Sequence, residues 1–134
     1  MKILDITFRI LLGGVFILFG LSKFHAFMPT PPMTSAAANF IGAIISTGYL
    51  WKVVGLFEVV GGILVLHNRT AVIGLLILSP IIVNIILYLM FLQYSIGLAP
   101  FVMVGYLLVT SGFLAWRRSS VLLGIWKNPQ DEFV

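Results

Sequence analysis

The chain has 134 residues, 60% of them hydrophobic and 9% charged, with a net charge of +4 and no cysteine. Soluble domains carry about 25% charged residues, so this composition excludes a water-soluble fold. The missing cysteines exclude a disulfide framework, thiol redox chemistry and thiolate metal sites, and the few charges show no nucleic-acid footprint.

With a mean hydropathy of +1.14, the length accommodates about four spans of ~20 residues in one domain. The first span is expected over 6–24. Lys2 before an apolar run mimics a signal peptide. But Asp5 and Arg9 interrupt the start, and the run over 10–21 ends in Ser22, Lys23, Phe24 and His25 with no small-x-small cleavage site. The helix is therefore read as retained. The Pro-rich stretch 28–32 cannot continue it.

A short helix over 35–48 follows, with Thr34 or Ser35 to cap its start and Gly48 to end it. It gathers Phe40, Ile41, Ile44 and Ile45 on one face and is too short to span, so it is read as lying at the interface. The second span is expected over 49–66, with Tyr49 and Trp51 as interfacial aromatics. His67, Asn68 and Arg69 make a tight turn into the third span, 70–92, which contains Pro80. A loop at 93–97 leads to the fourth span, 98–116, and a mixed, partly amphipathic tail fills 117–134. Its Trp126 and Lys127 suit a membrane surface. The fold class is thus all-α: a polytopic transmembrane four-helix bundle with a short interfacial helix between spans 1 and 2.

Lys and Arg placement sets the orientation. Lys2, Arg9, Arg69, Arg117, Arg118 and Lys127 share one side, while Lys23 and Lys52 lie on the other. Both termini are expected in the cytoplasm, with 25–48 and 93–97 facing out.

Ionisable residues within spans are costly and therefore nominate sites. Glu58 lies six residues past Lys52, and Asn84 lies seven before Phe91. At 1.5 Å per residue these are depths of ~9 and ~10 Å below the outer ends of their helices. Tyr106 lies about as deep, and Lys23 and His25 close span 1 on the same side. Tyr88 shares a helical stripe with Asn84. Small residues around Glu58 (Gly55, Gly61, Gly62) allow close helix approach or leave room for a ligand. Pro80 frees the carbonyl of Leu76, and a kink there would widen the bundle.

The candidate ligand-binding set is therefore Glu58, Asn84, Lys23, Tyr88, Tyr106 and His25, with Phe16 and Phe57 as walls. Glu58 is read as a structural partner of Lys23, as a ligand or proton group, or as a lipid-facing carboxylate, and Asn84 either as interhelical glue or as a ligand contact. Asp5 and Arg9, four apart, are expected to form a local ion pair. Arg117 and Arg118 read as a stop-transfer anchor. His25 and His67 fall on opposite sides, so no metal site is expected. Nor does any nucleophile constellation nominate a catalytic residue.

Three segments carry a family resemblance. Arg9 to Phe16, continuing Phe19-Gly20-Leu21-Ser22-Lys23, resembles the first helix of DoxX-like membrane proteins. Glu58-Val59-Val60-Gly61-Gly62 and Ser79-Pro80-Ile81-Ile82-Val83-Asn84 resemble segments of its second and third helices. The resemblance covers about residues 6–116. It implies a bacterial inner-membrane four-helix protein, some relatives being subunits of a thiosulfate:quinone oxidoreductase. The chemistry of the vitamin K epoxide reductase bundle, a distant likeness, needs paired cysteines absent here.

The leading expectation is a ligand-binding or accessory membrane subunit whose outward pocket takes a lipid or quinone head group. No cofactor is evident, a quinone being the one the resemblance allows. Catalysis by the chain alone is not expected. The alternatives are a quinone-linked oxidoreductase subunit and a membrane assembly or chaperone partner. The expected partners are membrane lipids, an amphiphile or quinone, and a partner subunit or further copies of the chain.

Overall fold

The computed structural model describes residues 2–25, 27 and 32–127. The stretch 28–31, the end of the tail past 127, and the side chains of Trp126 and Lys127 lie outside the described residues. The described elements are all helical: α1 (Lys2–Ser22), α2 (Ser35–Ser46), α3 (Leu50–Leu66), α4 (Ala71–Phe91), one 3-10 turn (Tyr94–Ile96), α5 (Ala99–Arg117) and α6 (Ser119–Lys127). The expected loop at 93–97 thus holds a helical turn, and the expected mixed tail contains a nine-residue helix of its own, α6, from 119 to 127.

Three helices, α1, α4 and α5, are long and apolar enough to cross a membrane. Helix α3 has 17 residues. It passes the same test only together with α2, from which it is bent by 93°. Local chemistry makes that corner. Thr47 Oγ1 donates to the Ile44 carbonyl at 2.7 Å and accepts from Leu50 N–H at 3.1 Å. Gly48 turns the chain at φ +84°, a left-handed conformation that side chains resist. Thr34 is the cap of α2, its hydroxyl accepting from Ala37 N–H at 3.1 Å. Ala37 is fully buried, while Ile45, expected on the apolar face, is exposed.

Packing closes a ring: α1 lies on α3, α3 on α4, α4 on α5, and α5 back on α1. Inside sit Leu12 and Phe16 of α1, Val65 of α3, Leu75, Leu78 and Ile82 of α4, and Leu107 and Leu114 of α5. The outside is equally apolar. Leu18, Phe57, Val83 and Leu108 all stand about half exposed. Exposed apolar surface on every long helix marks a chain that contacts a membrane or other protein surfaces rather than water.

Helices α1 and α3 touch backbone to backbone at two levels. A Cβ on Gly13 would stand 2.7 Å from the Gly62 carbonyl oxygen, and one on Gly20 would stand 2.6 Å from that of Gly55. Gly20 lies seven residues after Gly13, and Gly55 seven before Gly62, as antiparallel helices require. Without a hydrophobic drive between helices in lipid, such close packing supplies much of the association.

Each end of the ring is tied by polar groups. At the end where α1 begins, the buried Asp5 carboxylate meets three guanidinium groups. Arg9 Nε lies at 2.9 Å, Arg117 Nε at 3.2 Å and Arg118 Nη1 at 2.8 Å. Arg118 also donates to Asn68 Oδ1 at 2.9 Å, and Arg9 to the Leu66 carbonyl at 2.7 Å. Asp5–Arg9 is therefore more than a local pair, and Arg118 more than an anchor: together they join α1, the α3–α4 turn and the end of α5. At the opposite end Gln93, buried past α4, accepts from Thr34 N–H at 2.9 Å and donates to the Pro32 carbonyl at 3.2 Å. Those bonds pin the start of α2 to the end of α4.

Candidate functional site

A buried ion pair stands at the α2 end of the ring, between α1 and α3. Lys23 follows the last residue of α1, where the chain is still held by a bond from Lys23 N–H to the Gly20 carbonyl at 3.2 Å. Its stem crosses α3 at Gly55, where an added Cβ would come within 2.9 Å of Lys23 Cβ. The glycine thus makes the trough in which the lysine lies. One turn deeper along α3, Glu58 Oε1 receives the ammonium at 2.7 Å. One turn shallower, the Trp51 ring covers the same ammonium at 4.7 Å from its centroid. Trp51, Gly55 and Glu58 fall at i, i+4 and i+7, one face of a helix.

Burial is uneven across the pair. The Glu58 side chain is 1% exposed and that of Lys23 13%. Charges taken out of water are tolerated only with good geometry and satisfied lone pairs. Here one oxygen is satisfied and the other is not: among the described residues, Glu58 Oε2 has no hydrogen-bond partner. A buried carboxylate oxygen without a donor is costly to leave so. The arrangement therefore offers a cation facing the chain's surface and an acceptor oxygen behind it, under an aromatic cover.

The other expected site residues lie elsewhere. Asn84 is exposed on the outer face of α4, beside Pro80, Val83 and Leu87; the packed face of that helix is Leu75, Leu78 and Ile82. Depth along the helix matches Glu58, but rotation turns the amide away. The Tyr106 hydroxyl donates to the Leu11 carbonyl at 2.6 Å, tying α5 to α1 rather than facing a pocket. Tyr88 is half-buried and packs on Phe40 of α2, ring centroids 5.8 Å apart. His25 is exposed beyond the end of α1. Phe16 is core, and Phe57 is 49% exposed on the outside of α3, so neither is a wall of this site. Pro80 leaves α4 unbroken, and Ser79 Oγ donates at 3.0 Å to the Leu76 carbonyl that the proline deprives of its N–H.

Sequence reasoning reads Trp51 only as an interfacial anchor. Its spacing of seven from Glu58 is the signal that places it with the pair. Gln93 carries a weaker signal, an amide directly after an apolar span. Among the described residues no group of three His, Cys, Asp or Glu side chains comes together to hold a metal ion.

The chain is 31% identical over 134 aligned residues to "Uncharacterized protein YwoB" of Bacillus subtilis (strain 168), which covers 95% of this chain and 84% of that protein. No family model matches the chain, and no solved structure matches it.

Proposed function

The chain belongs to the family of the Bacillus subtilis protein YwoB, and from its own geometry we propose that it is a four-span inner-membrane protein that binds the head group of an amphiphile, a lipid or a quinol, at Lys23 and Glu58. In this reading α3 also crosses the membrane, as the second of four spans, and with α1, α4 and α5 it forms a four-helix bundle, α2 lying at the outer interface. The Asp5–Arg118 end, rich in arginine, faces the cytoplasm under the positive-inside rule. The ion pair then lies towards the outer leaflet.

The observation that carries the reading is the unpartnered Oε2 of a carboxylate buried at 1% exposure. Acceptor oxygens call for a donor. A glycerol hydroxyl of a lipid head group or the hydroxyl of a quinol supplies one, while a phosphate oxygen of that lipid, or the quinol's own hydroxyl oxygen, accepts from the ammonium of Lys23. The two segments bearing this pair are also among those that resemble DoxX-like proteins, some of which are tied to quinone chemistry.

Native mass spectrometry of gently extracted protein tests the proposal. Wild-type protein should retain one lipid or quinol per chain, its mass telling the two apart. Glu58→Gln, which puts an amide in place of the carboxylate, should lose it while keeping its helical circular dichroism. Equal retention by wild type, Glu58→Gln and Lys23→Met would remove the site.

A further inference from the structure

Asn84 presents a carboxamide to the outside of an apolar helix. It lies seven residues before Phe91, the last residue of α4, hence about 10 Å in from that end. Its neighbours on the same face are Leu76, Val83 and Leu87, exposed by 49%, 56% and 49%. With Ser79 and Pro80 they line one shallow, open groove. Ser79 is satisfied within its own helix, by the bond to the Leu76 carbonyl. Asn84 is exposed and takes part in no hydrogen bond with the described residues. A carboxamide facing hydrocarbon has no water to turn to, and the helix backbone has its own bonds to keep.

We propose that this face of α4 is where two copies of the chain meet, with Asn84 of each bonded to Asn84 of the other. The chemistry selects the occupant. A carboxamide carries two N–H donors and an oxygen with two lone pairs, so its partial charges are complementary to those of an identical group. A two-fold axis passing beside Asn84 sets the pair opposite one another and lets them exchange two bonds. No formal charge lies along the groove to demand an oppositely charged partner. The flanking Leu76, Val83 and Leu87 are matched equally well by lipid tails and by their own copies, so the amide alone distinguishes the two. The inference requires α4 to lie in the bilayer and is independent of the ligand at Lys23 and Glu58.

The natural chain contains no cysteine, so single cysteines report proximity without background. In full-length protein in lipid vesicles, Val83→Cys and Leu87→Cys should crosslink into dimers on mild oxidation. Val109→Cys, equally exposed on α5 at 58%, should not. Dilution of fluorescently labelled protein in the same vesicles should show Asn84→Leu dissociating about 3- to 20-fold more readily than wild type, the range of interhelical hydrogen bonds in bilayers. Asn84→Gln, which keeps an amide, should stay near wild type. Equal crosslinking from α4 and α5, unchanged association of Asn84→Leu, or a different protein or a lipid held at Asn84 in place of the second copy would overturn the dimer.

Discussion

Replacing Gly20 by alanine puts a methyl group where two backbones touch. The new Cβ would stand 2.6 Å from the Gly55 carbonyl oxygen, 2.6 Å from Val59 Cγ2 and 2.9 Å from Val59 N. The valine methyl can rotate aside, but the two backbone atoms cannot. Ordinary contact begins at 3.4 Å, so α1 and α3 must part by about 0.8 Å at this level, and overpacking of this kind costs about 1–3 kcal/mol. Alanine returns up to about 1 kcal/mol through helix propensity. A net loss of roughly 1–2 kcal/mol corresponds to a melting temperature lower by about 3–10 °C at this chain length. Gly14 supplies the control on the same helix, since a Cβ there meets nothing within 4 Å; Gly14→Ala should melt at or slightly above wild type. Thermal unfolding followed by circular dichroism in one detergent compares the three proteins. If Gly20→Ala melts with Gly14→Ala, the α1–α3 backbone contact is wrong, and with it the trough that seats Lys23.

Asp5→Asn removes the carboxylate that, among the described residues, Arg9, Arg117 and Arg118 share, and should destabilise by about 3–5 kcal/mol, the cost of breaking a buried pair. Arg117→Gln should cost no more than about 1 kcal/mol, because that side chain is 30% exposed and exposed pairs contribute little; equal melting of the two variants would show that Asp5 does not organise this end. Gln93→Leu leaves Thr34 N–H and the Pro32 carbonyl without their side-chain partner. Amide hydrogen exchange in α2 should then quicken by about 5- to 160-fold, as expected for the loss of roughly 1–3 kcal/mol, with α4 unchanged; protection of α2 equal to wild type would refute the pinning role.

How much was legible can be seen at two polar residues. Glu58 is a lone carboxylate in a span whose surrounding glycines already indicate a packed face, so its burial against a neighbouring helix can be argued from spacing. Asn84 has the same depth, and counting residues from a helix end places both in one layer. Counting along a helix does not say which way a side chain points. Helix α4 is apolar all round, with no polar stripe to show its outer side, so the ring's packing of Leu75, Leu78 and Ile82 turned Asn84 outward. The role of Arg118 was hidden for another reason: its partner Asp5 lies 113 residues away in the chain.

The sequence by itself determined that this is an all-helical membrane chain, and where α1 to α5 begin and end to within a few residues, though not the nine-residue α6 of the tail. Those properties are local: apolar run length, prolines that stop a helix, threonine caps and a glycine at the corner. The tertiary structure alone decided which polar groups meet. It joined Lys23, Trp51 and Glu58 across α1 and α3, gathered three arginines on Asp5, and left Asn84 on the outside. The physical reason is that hydropathy sets depth and length, whereas the rotation of each helix follows from the close backbone contacts and core side chains of its neighbours.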